Sequence, residues 1–217
     1  MNNQKPIVVA ITGASGSIYG LRLVQALADL GHSITLTLSH AAGLVIKEEL
    51  GIDVDVEDSN SISKLFDSKT CHFISYYSEH QMTAPIASGS YPTRGMIIMP
   101  ASTTSFAKIA NGVSEGLIER AAECVIKEGR KLVIVPRETP LSAIHLENLL
   151  KLARLGVRVV PAIPGFYSGA QHVQELIDFV VGKVLDQFEI THSLYRRWTG
   201  PETESKMGAS TWQKNLR

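Results

Sequence analysis

The sequence predicts a single doubly wound α/β domain, a flavodoxin- or Rossmann-like parallel sheet with helices on both faces. Short apolar runs such as IVVAI, MIIM and KLVIV have the composition of strands that are buried on both faces. Amphipathic helical patterns separate these runs, and glycines end several of them. Parallel strands require long crossover connections, so this alternation favours a parallel sheet covered by helices on both sides.

The first half of the chain starts with this alternation and then loses it. PIVVAIT is predicted as a strand, residues 17–30 as a helix that ends at Gly31, SITLTLS as a second strand, and residues 41–50 as a helix that ends at Gly51. The following stretch, DVDVEDSNS, is acidic and typical of a loop. From there to Gly95 the pattern is weak, and it predicts only a short helix near residues 62–66.

The second half of the chain returns to a regular pattern. GMIIMP, KLVIV and VRVVPAI are predicted as strands, and residues 116–128 and 142–155 as helices between them. The last helix is the clearest, because apolar residues recur at i, i+3, i+4 and i+7 from position 173 to position 188. We therefore assign residues 1–198 to one α/β domain and residues 199–217 to a polar C-terminal tail.

Composition restricts the class of protein. The chain has 217 residues, 44% apolar and 19% charged, and its formal net charge is zero without a long run of one sign. Neither nucleic acid nor an anionic membrane is therefore an expected partner. No apolar stretch approaches the roughly 20 residues that span a bilayer. We expect a cytoplasmic protein.

Cysteine and histidine spacing predicts no metal site. Cys71 and Cys124 lie far apart and fit free thiols in a reducing compartment, although a single disulfide stays open. The seven histidines form no H-x-H or H-E-x-x-H pair. His145 is expected to pack or to cap its helix rather than to act in catalysis.

Ligands of parallel sheets bind at the carboxyl ends of the strands, so the loops there are candidate sites. The first loop, TGASGSIYG, places Gly13, Ala14 and Ser15 where backbone N–H groups can approach a phosphate. A tight turn that needs glycine is the alternative. The spacing is not G-x-G-x-x-G, and the second strand ends in Ser39 and His40 rather than in an acidic residue. FMN therefore suits this loop better than NAD.

Two further loops carry hydroxyl groups. PASTTS brings Ser102, Thr103, Thr104 and Ser105 to a helix start, where they either bond a ligand or cap the helix. PAIPGFYSG places Tyr167 after the last predicted strand, where its phenol either bonds a ligand or packs over the sheet edge.

The loop VPRETP carries two opposite charges at the end of a buried strand. Pro136 and Pro140 stiffen it, because proline fixes φ. Arg137 and Glu138 are neighbours, so an extended backbone directs them to opposite sides and favours two separate roles. The alternative is that each forms a surface ion pair that contributes little to stability.

Five stretches in order resemble the UbiX-type flavin prenyltransferases over residues 7–198: TGASGSIYGLRL, APIASGS, GLIERAAECVIKE, LVIVPRETPLSAIHLENLLKL and PAIPGFY. The resemblance implies a flavodoxin-like homododecamer that binds FMN between subunits. It further implies that a dimethylallyl group passes from dimethylallyl monophosphate to reduced FMN, at N5 and then at C6, without a metal. The product would serve a UbiD-type decarboxylase, for example in ubiquinone biosynthesis. The Pro-x-Met-Asn motif of cysteine-decarboxylating relatives is absent.

The resemblance also implies residue roles. Glu138 would shuttle protons, with assistance from Glu49, and Lys127 would stabilise the departing phosphate. Tyr167 and Lys183 would bind the prenyl phosphate, and Arg120 would be structural or would steer it. Contacts to FMN would come from Gly13, Ala14, Ser15, Ser39, Ser102, Thr103, Thr104, Ser105 and Arg137.

The chain departs from the family at two positions. Lys183 stands where relatives often have arginine, so bidentate phosphate binding is lost there. Ala101 stands where relatives often have cysteine, which indicates that the sulfur is dispensable. Two rival functions stay open, an aromatic-acid decarboxylase of the same fold and a non-catalytic FMN carrier.

Overall fold

Within residues 5–200, which the computed structural model describes, six parallel strands form one sheet. The strands are β1 (Ile7–Ile11), β2 (Ile34–Leu38), β3 (Ile74–Tyr76), β4 (Gly95–Ala101), β5 (Lys131–Pro136) and β6 (Arg158–Val159). Their order in the sheet is β3-β2-β1-β4-β5-β6, and every neighbouring pair is parallel. This confirms the predicted doubly wound sheet, and the order is that of Rossmann rather than flavodoxin folds. Most of the predicted polar tail, residues 201–217, lies outside the described residues.

Helices cover both faces of the sheet. They are α1 (Ser17–Asp29), α2 (His40–Leu50), α3 (Ser68–Cys71), α4 (Thr103–Ala110), α5 (Leu117–Lys127), α6 (Ala143–Arg154) and α7 (Val173–Gln187), with short 3₁₀ turns at Ser59–Lys64, Pro85–Ala87 and Phe166–Ser168. Among the described residues, no helix combines the length and the apolar character needed to cross a membrane.

The two faces of the sheet pack against different helices, because alternate residues of each strand point to opposite faces. Val9 and Ile97 pack against α1, α2 and α7, whereas Val8 and Met96 pack against α4, α5 and α6.

The edge strands are where the prediction and the structure differ. β3 was not predicted, because it has only three residues and all of them are partly exposed or exposed. The last predicted strand is shortened to Arg158–Val159. Pro161 has no N–H to donate, although Val160 and Ala162 still donate to Ile134 and Pro136 of β5 at 2.9 and 3.2 Å. In place of the helix predicted near residues 62–66, the chain forms a 3₁₀ turn and then α3.

Two smaller predictions are confirmed. His145 caps α6, since its Nδ1 accepts the N–H of Ser142 at 3.2 Å while Ser142 Oγ accepts the N–H of His145 at 3.3 Å. Cys71 and Cys124 are free thiols.

Candidate functional site

The crevice between β1 and β4 is the topological switch point of the sheet. The chain leaves β1 toward β2 on one side and leaves β4 toward β5 on the other, so the loops at the carboxyl ends of β1 and β4 diverge. The buried Thr12 joins the two loops: its Oγ1 donates to the carbonyl of Pro100 at 2.9 Å and accepts the N–H of Ser102 at 2.7 Å. The floor of the crevice is therefore fixed before any ligand binds.

A cavity of about 500 Å³ opens at this crevice. Its volume lies within the roughly 300–1,000 Å³ that small-molecule sites occupy. The lining includes Glu138 and all nine residues that the sequence predicts to contact FMN: Gly13, Ala14, Ser15, Ser39, Ser102, Thr103, Thr104, Ser105 and Arg137.

The glycine-rich loop after β1 has both a structural and a binding aspect. Gly16 has φ 94°, a left-handed conformation that favours glycine, and a Cβ at Gly13 would collide with Ala41 of α2. The turn therefore requires its glycines for geometry. Within the described residues, however, the N–H groups of Gly13 and Ser15 have no hydrogen-bond partner. They are available to a ligand in the cavity.

Glu49 occupies the N-terminus of α1. Its carboxylate accepts the N–H groups of Gly16 at 2.8 Å and Ser17 at 3.0 Å, and the hydroxyl of Ser17 at 2.8 Å. Burial raises the pKa of Glu49, but hydrogen bonds from Ser15, Gly16 and Ser17 outweigh it and hold the pKa below its ordinary value. Glu49 does not border the cavity. Its geometry is that of an ionised helix cap.

The N-terminus of α4 is open to the cavity instead. Ser102 caps it, with Oγ accepting the N–H of Ser105 at 3.2 Å. The N–H groups of Thr103 and Thr104 have no partner within the described residues, and both residues line the cavity. Because free N–H groups and the helix dipole attract negative charge, this end of α4 suits a phosphate.

Arg137 and Glu138 have separate partners. Arg137 Nε donates to the carbonyl of Ser15 at 2.9 Å, which fixes the guanidinium over the first loop. The exposed carboxylate of Glu138 accepts the N–H of Thr139 at 2.9 Å. The two side chains form no ion pair with each other, as the sequence predicts, and both border the same cavity.

The cavity also contains residues that the sequence analysis missed. Lys108 lies one helical turn after Thr104 on α4, so helical spacing would have indicated it once α4 was assigned. Its ammonium pairs with Glu115 at 2.6 Å, and this hydrogen bond raises the pKa of Lys108. Glu79, which accepts the N–H of His40 at 2.6 Å, comes from an irregular loop without a sequence signal. The other missed residues are His40, Ala41, Ile118 and Glu119.

Two predicted site residues of α5 do not line this cavity, although Ile118 and Glu119 of the same helix do. Arg120 donates from Nε to the carbonyl of Ala87 at 3.0 Å and pairs with Glu123 at 2.9 Å. Its guanidinium thus holds the loop around Ala87. Of the two roles expected for Arg120, structural or phosphate-steering, this geometry fits the structural one. Lys127 pairs with Glu128 at 2.9 Å.

Two more predicted substrate residues lie near β6 and α7. Lys183 borders a groove of about 550 Å³ beside β6. Tyr167, 47% exposed, packs its ring edge-on against Phe179 and Trp198, with centroid distances of 5.5 and 6.0 Å. One copy of the chain therefore gathers the predicted FMN contacts and Glu138 at the cavity, but not the other predicted site residues, Glu49, Arg120, Lys127, Tyr167 and Lys183.

The chain matches one protein family and many relatives along most of its length. The family described as Flavoprotein matches residues 1–185. Flavin prenyltransferase UbiX of Halalkalibacterium halodurans is 50% identical over 190 residues, which cover 88% of this chain and 91% of that protein. Flavin prenyltransferase UbiX of Saccharolobus solfataricus is 44% identical over 198 residues, which cover 90% and 93%.

Solved structures agree with these sequence matches. AnUbiX (PadA1), crystallised with FMN and dimethylallyl pyrophosphate, superposes with a TM-score of 0.81 at 37% identity and covers 92% of this chain and 100% of that one. A dodecameric FMN-dependent UbiX-like decarboxylase from Escherichia coli O157:H7 has a TM-score of 0.79 at 40% identity, covering 90% and 100%.

Proposed function

Because the chain belongs to the flavoprotein family, and within it to the UbiX-type flavin prenyltransferases, we propose that it joins a dimethylallyl group to FMN. The acceptor is reduced FMN, and the donor is dimethylallyl monophosphate. Transfer to N5 and then to C6 of the flavin gives prenylated FMN. The observation that carries the proposal is the cavity between β1 and β4, whose lining contains every residue predicted to contact FMN.

The residues at this cavity fit FMN. Free N–H groups of Gly13, Ser15, Thr103 and Thr104, together with the guanidinium of Arg137, can hold a phosphate or the polar edge of a flat ring. When bound, reduced FMN supplies the nucleophilic atoms of the reaction. Within residues 5–200 no group of three or more His, Cys, Asp or Glu side chains is placed to hold a metal ion.

The charged side chains have the roles that the chemistry requires. Cleavage of an allylic C–O bond leaves growing negative charge on the phosphate, and cations placed there stabilise the transition state more than the ground state. Lys127 and Lys183 supply those cations. Glu138 lies at the cavity with an exposed carboxylate, so it can protonate the phosphate and accept a proton from the flavin.

Assembly of several copies accounts for the separation of these residues. Lys127, Tyr167 and Lys183 lie outside the cavity of their own chain, and neighbouring copies would bring them to it. The outer face of α6 supports such an assembly, because it exposes Ile144 and Leu150 by 68% and 50%. A homododecamer is the proposed state, in line with the dodecameric relative.

The direct test is incubation of the purified protein with reduced FMN and dimethylallyl monophosphate under anaerobic conditions. Mass spectrometry of the extracted flavin is expected to show the gain of one five-carbon group. Unchanged FMN would contradict the proposal and favour an FMN carrier. A parallel reaction with the diphosphate measures the donor preference, since the solved relative holds dimethylallyl pyrophosphate.

Two further assays separate the remaining alternatives. Release of CO₂ from an aromatic acid by this chain alone would favour the decarboxylase function. Activation of an apo UbiD-type decarboxylase by the extracted product tests the proposed recipient. The cytoplasmic location stays a prediction, which fractionation of cells can test.

A further inference from the structure

A cluster of polar side chains joins the end of α7 to the segment that follows it. We name it the Asp186 cluster, and it consists of Asp186, His192, Tyr195 and Arg197. Asp186 Oδ1 accepts from Arg197 Nη2 at 2.7 Å, and Oδ2 accepts from the hydroxyl of Tyr195 at 2.6 Å. His192 Nε2 lies 3.1 Å from Oδ1. One carboxylate thus holds three side chains of the segment 192–197.

Burial and charge stabilise this cluster. The side chain of Asp186 is 19% exposed and that of His192 is 2% exposed. Burial raises the pKa of Asp186, but hydrogen bonds from Arg197, Tyr195 and His192 outweigh it and lower the pKa to about 2. Burial and the carboxylate raise the pKa of Tyr195 to about 12. The carboxylate is therefore ionised and the phenol protonated at neutral pH.

Helix α7 has a glycine, Gly182, where the rings of Tyr195 and His192 pack against it. A Cβ at Gly182 would lie 2.5 Å from a ring carbon of Tyr195 and 2.7 Å from one of His192. A larger residue at that position would displace the segment.

Aromatic ring contacts connect the Asp186 cluster to Tyr167. The ring of Tyr195 packs on Phe179 at 4.9 Å, and Phe179 packs on Tyr167 at 5.5 Å. Trp198, the residue after Arg197, also packs on Tyr167, with a distance of 6.0 Å between the ring centroids. Within the described residues the hydroxyl of Tyr167 has no hydrogen bond, so these ring contacts are what restrain its side chain.

The Asp186 cluster also lies beside Lys183, which precedes Asp186 by one helical turn on α7. The ammonium of Lys183 is 3.9 Å from Asp186 Oδ2. Tyr167 and Lys183, two of the residues that are expected to bind the allyl phosphate, therefore both contact the structure that Asp186 organises.

We propose that Asp186 is a positioning residue for the allyl phosphate: it holds the segment 192–198 against α7, so that Trp198 restrains Tyr167, and it orients Lys183. This inference rests on the proposed function. Loss of the carboxylate would release the segment and leave both donors free to rotate. Binding of the allyl phosphate would then require ordering of those side chains, whereas the FMN cavity between β1 and β4 would be unchanged.

The experiment compares Asp186→Asn and Tyr195→Phe with the wild type. We expect Asp186→Asn to raise KM for dimethylallyl monophosphate about tenfold, and Tyr195→Phe to raise it less, with FMN affinity unchanged in both. Asp178→Asn is the matched control, because Asp178 lies on the same helix, is 17% exposed and pairs with Arg22 of α1 at 2.6 Å. It is expected to lower stability without raising KM.

A second measurement does not depend on activity. Trp212→Phe leaves Trp198 as the single tryptophan of the chain. In that background, Asp186→Asn and Tyr195→Phe are expected to shift the emission of Trp198 to the red, and Asp178→Asn is not.

Results against the inference differ from results against the proposed function. An increase in KM for Asp186→Asn no larger than that for Asp178→Asn would overturn the inference, as would unchanged Trp198 emission. A parallel loss of FMN affinity would also overturn it, because the effect would then be general. Failure of the wild type to prenylate FMN would instead contradict the proposed function.

Discussion

The carboxylate of Glu49 on α2 accepts the backbone N–H of Gly16 at 2.8 Å and so caps α1 from a neighbouring helix. The N-terminus of α1 is therefore neutralised by the protein itself. The N-terminus of α4, at Thr103 and Thr104, accepts no such carboxylate from residues 5–200 and faces the cavity. Of the two helix ends at the switch point, α4 is thus the one with open N–H groups for an anion.

Replacement of Glu49 tests this cap. Glu49→Gln is expected to lower the free energy of unfolding by about 1 kcal/mol at neutral pH, because a charged cap at a helix N-terminus is lost. Since the folded-state pKa lies below the ordinary 4.5, the stabilisation is present above that pH and is lost as the pH falls through the folded-state value. Urea unfolding at neutral and acidic pH measures both effects.

Glu48→Gln is the control for that experiment, since Glu48 is the exposed neighbour of Glu49 on α2. Equal stability of Glu48→Gln and Glu49→Gln at neutral pH would show that the cap does not stabilise α1.

Replacement of Glu138 separates binding from chemistry. Glu138→Gln keeps the shape of the side chain but cannot shuttle a proton, so turnover is expected to fall about 10²- to 10⁴-fold. FMN affinity is expected to stay unchanged, because the FMN contacts come from other residues. Flavin fluorescence titration and product mass measure the two quantities. Glu48→Gln on the exposed face of α2 is the control, and turnover equal to that control would remove the proton-shuttle role.

Replacement of Lys183 tests the cation beside α7. Lys183→Ala is expected to raise KM for dimethylallyl monophosphate about tenfold or more, because a charged donor to phosphate is lost. Lys183→Arg is expected to bind at least as well as the wild type, since a guanidinium can bind phosphate through two donors. Steady-state kinetics at fixed FMN measures this. An equal loss of FMN affinity in Lys183→Ala would contradict the assignment.

The outer face of α6 offers a test of assembly. Leu146 and Leu150 are 53% and 50% exposed and lie one helical turn apart. The double substitution Leu146→Glu/Leu150→Glu places two charges in the proposed interface and is expected to dissociate the assembly, and with it activity. Sedimentation velocity measures the molecular mass, with Glu48→Gln on the exposed face of α2 as the control. An unchanged mass would place the interface elsewhere.

Local sequence signals predicted most of the fold. Strands with unbroken apolar runs, such as Ile7–Ile11, and helices with a regular apolar repeat, such as Val173–Gln187, were predicted because burial dictates composition. β3 was missed because an exposed three-residue edge strand buries too little apolar surface to leave a pattern. β6 spans only Arg158–Val159, although the apolar run continues and Val160 and Ala162 still donate to β5.

The sequence by itself determined most of the sheet, the loops at its carboxyl rim and many of the residues that border the cavity, because these follow from short-range pattern and chain order. Only the tertiary structure decided what each charge does. Glu49 meets Gly16 across 33 positions of the chain, and Asp186 acquires its partners because the chain folds back on α7. Such pairings depend on distances between side chains on different elements, and no local pattern encodes those distances.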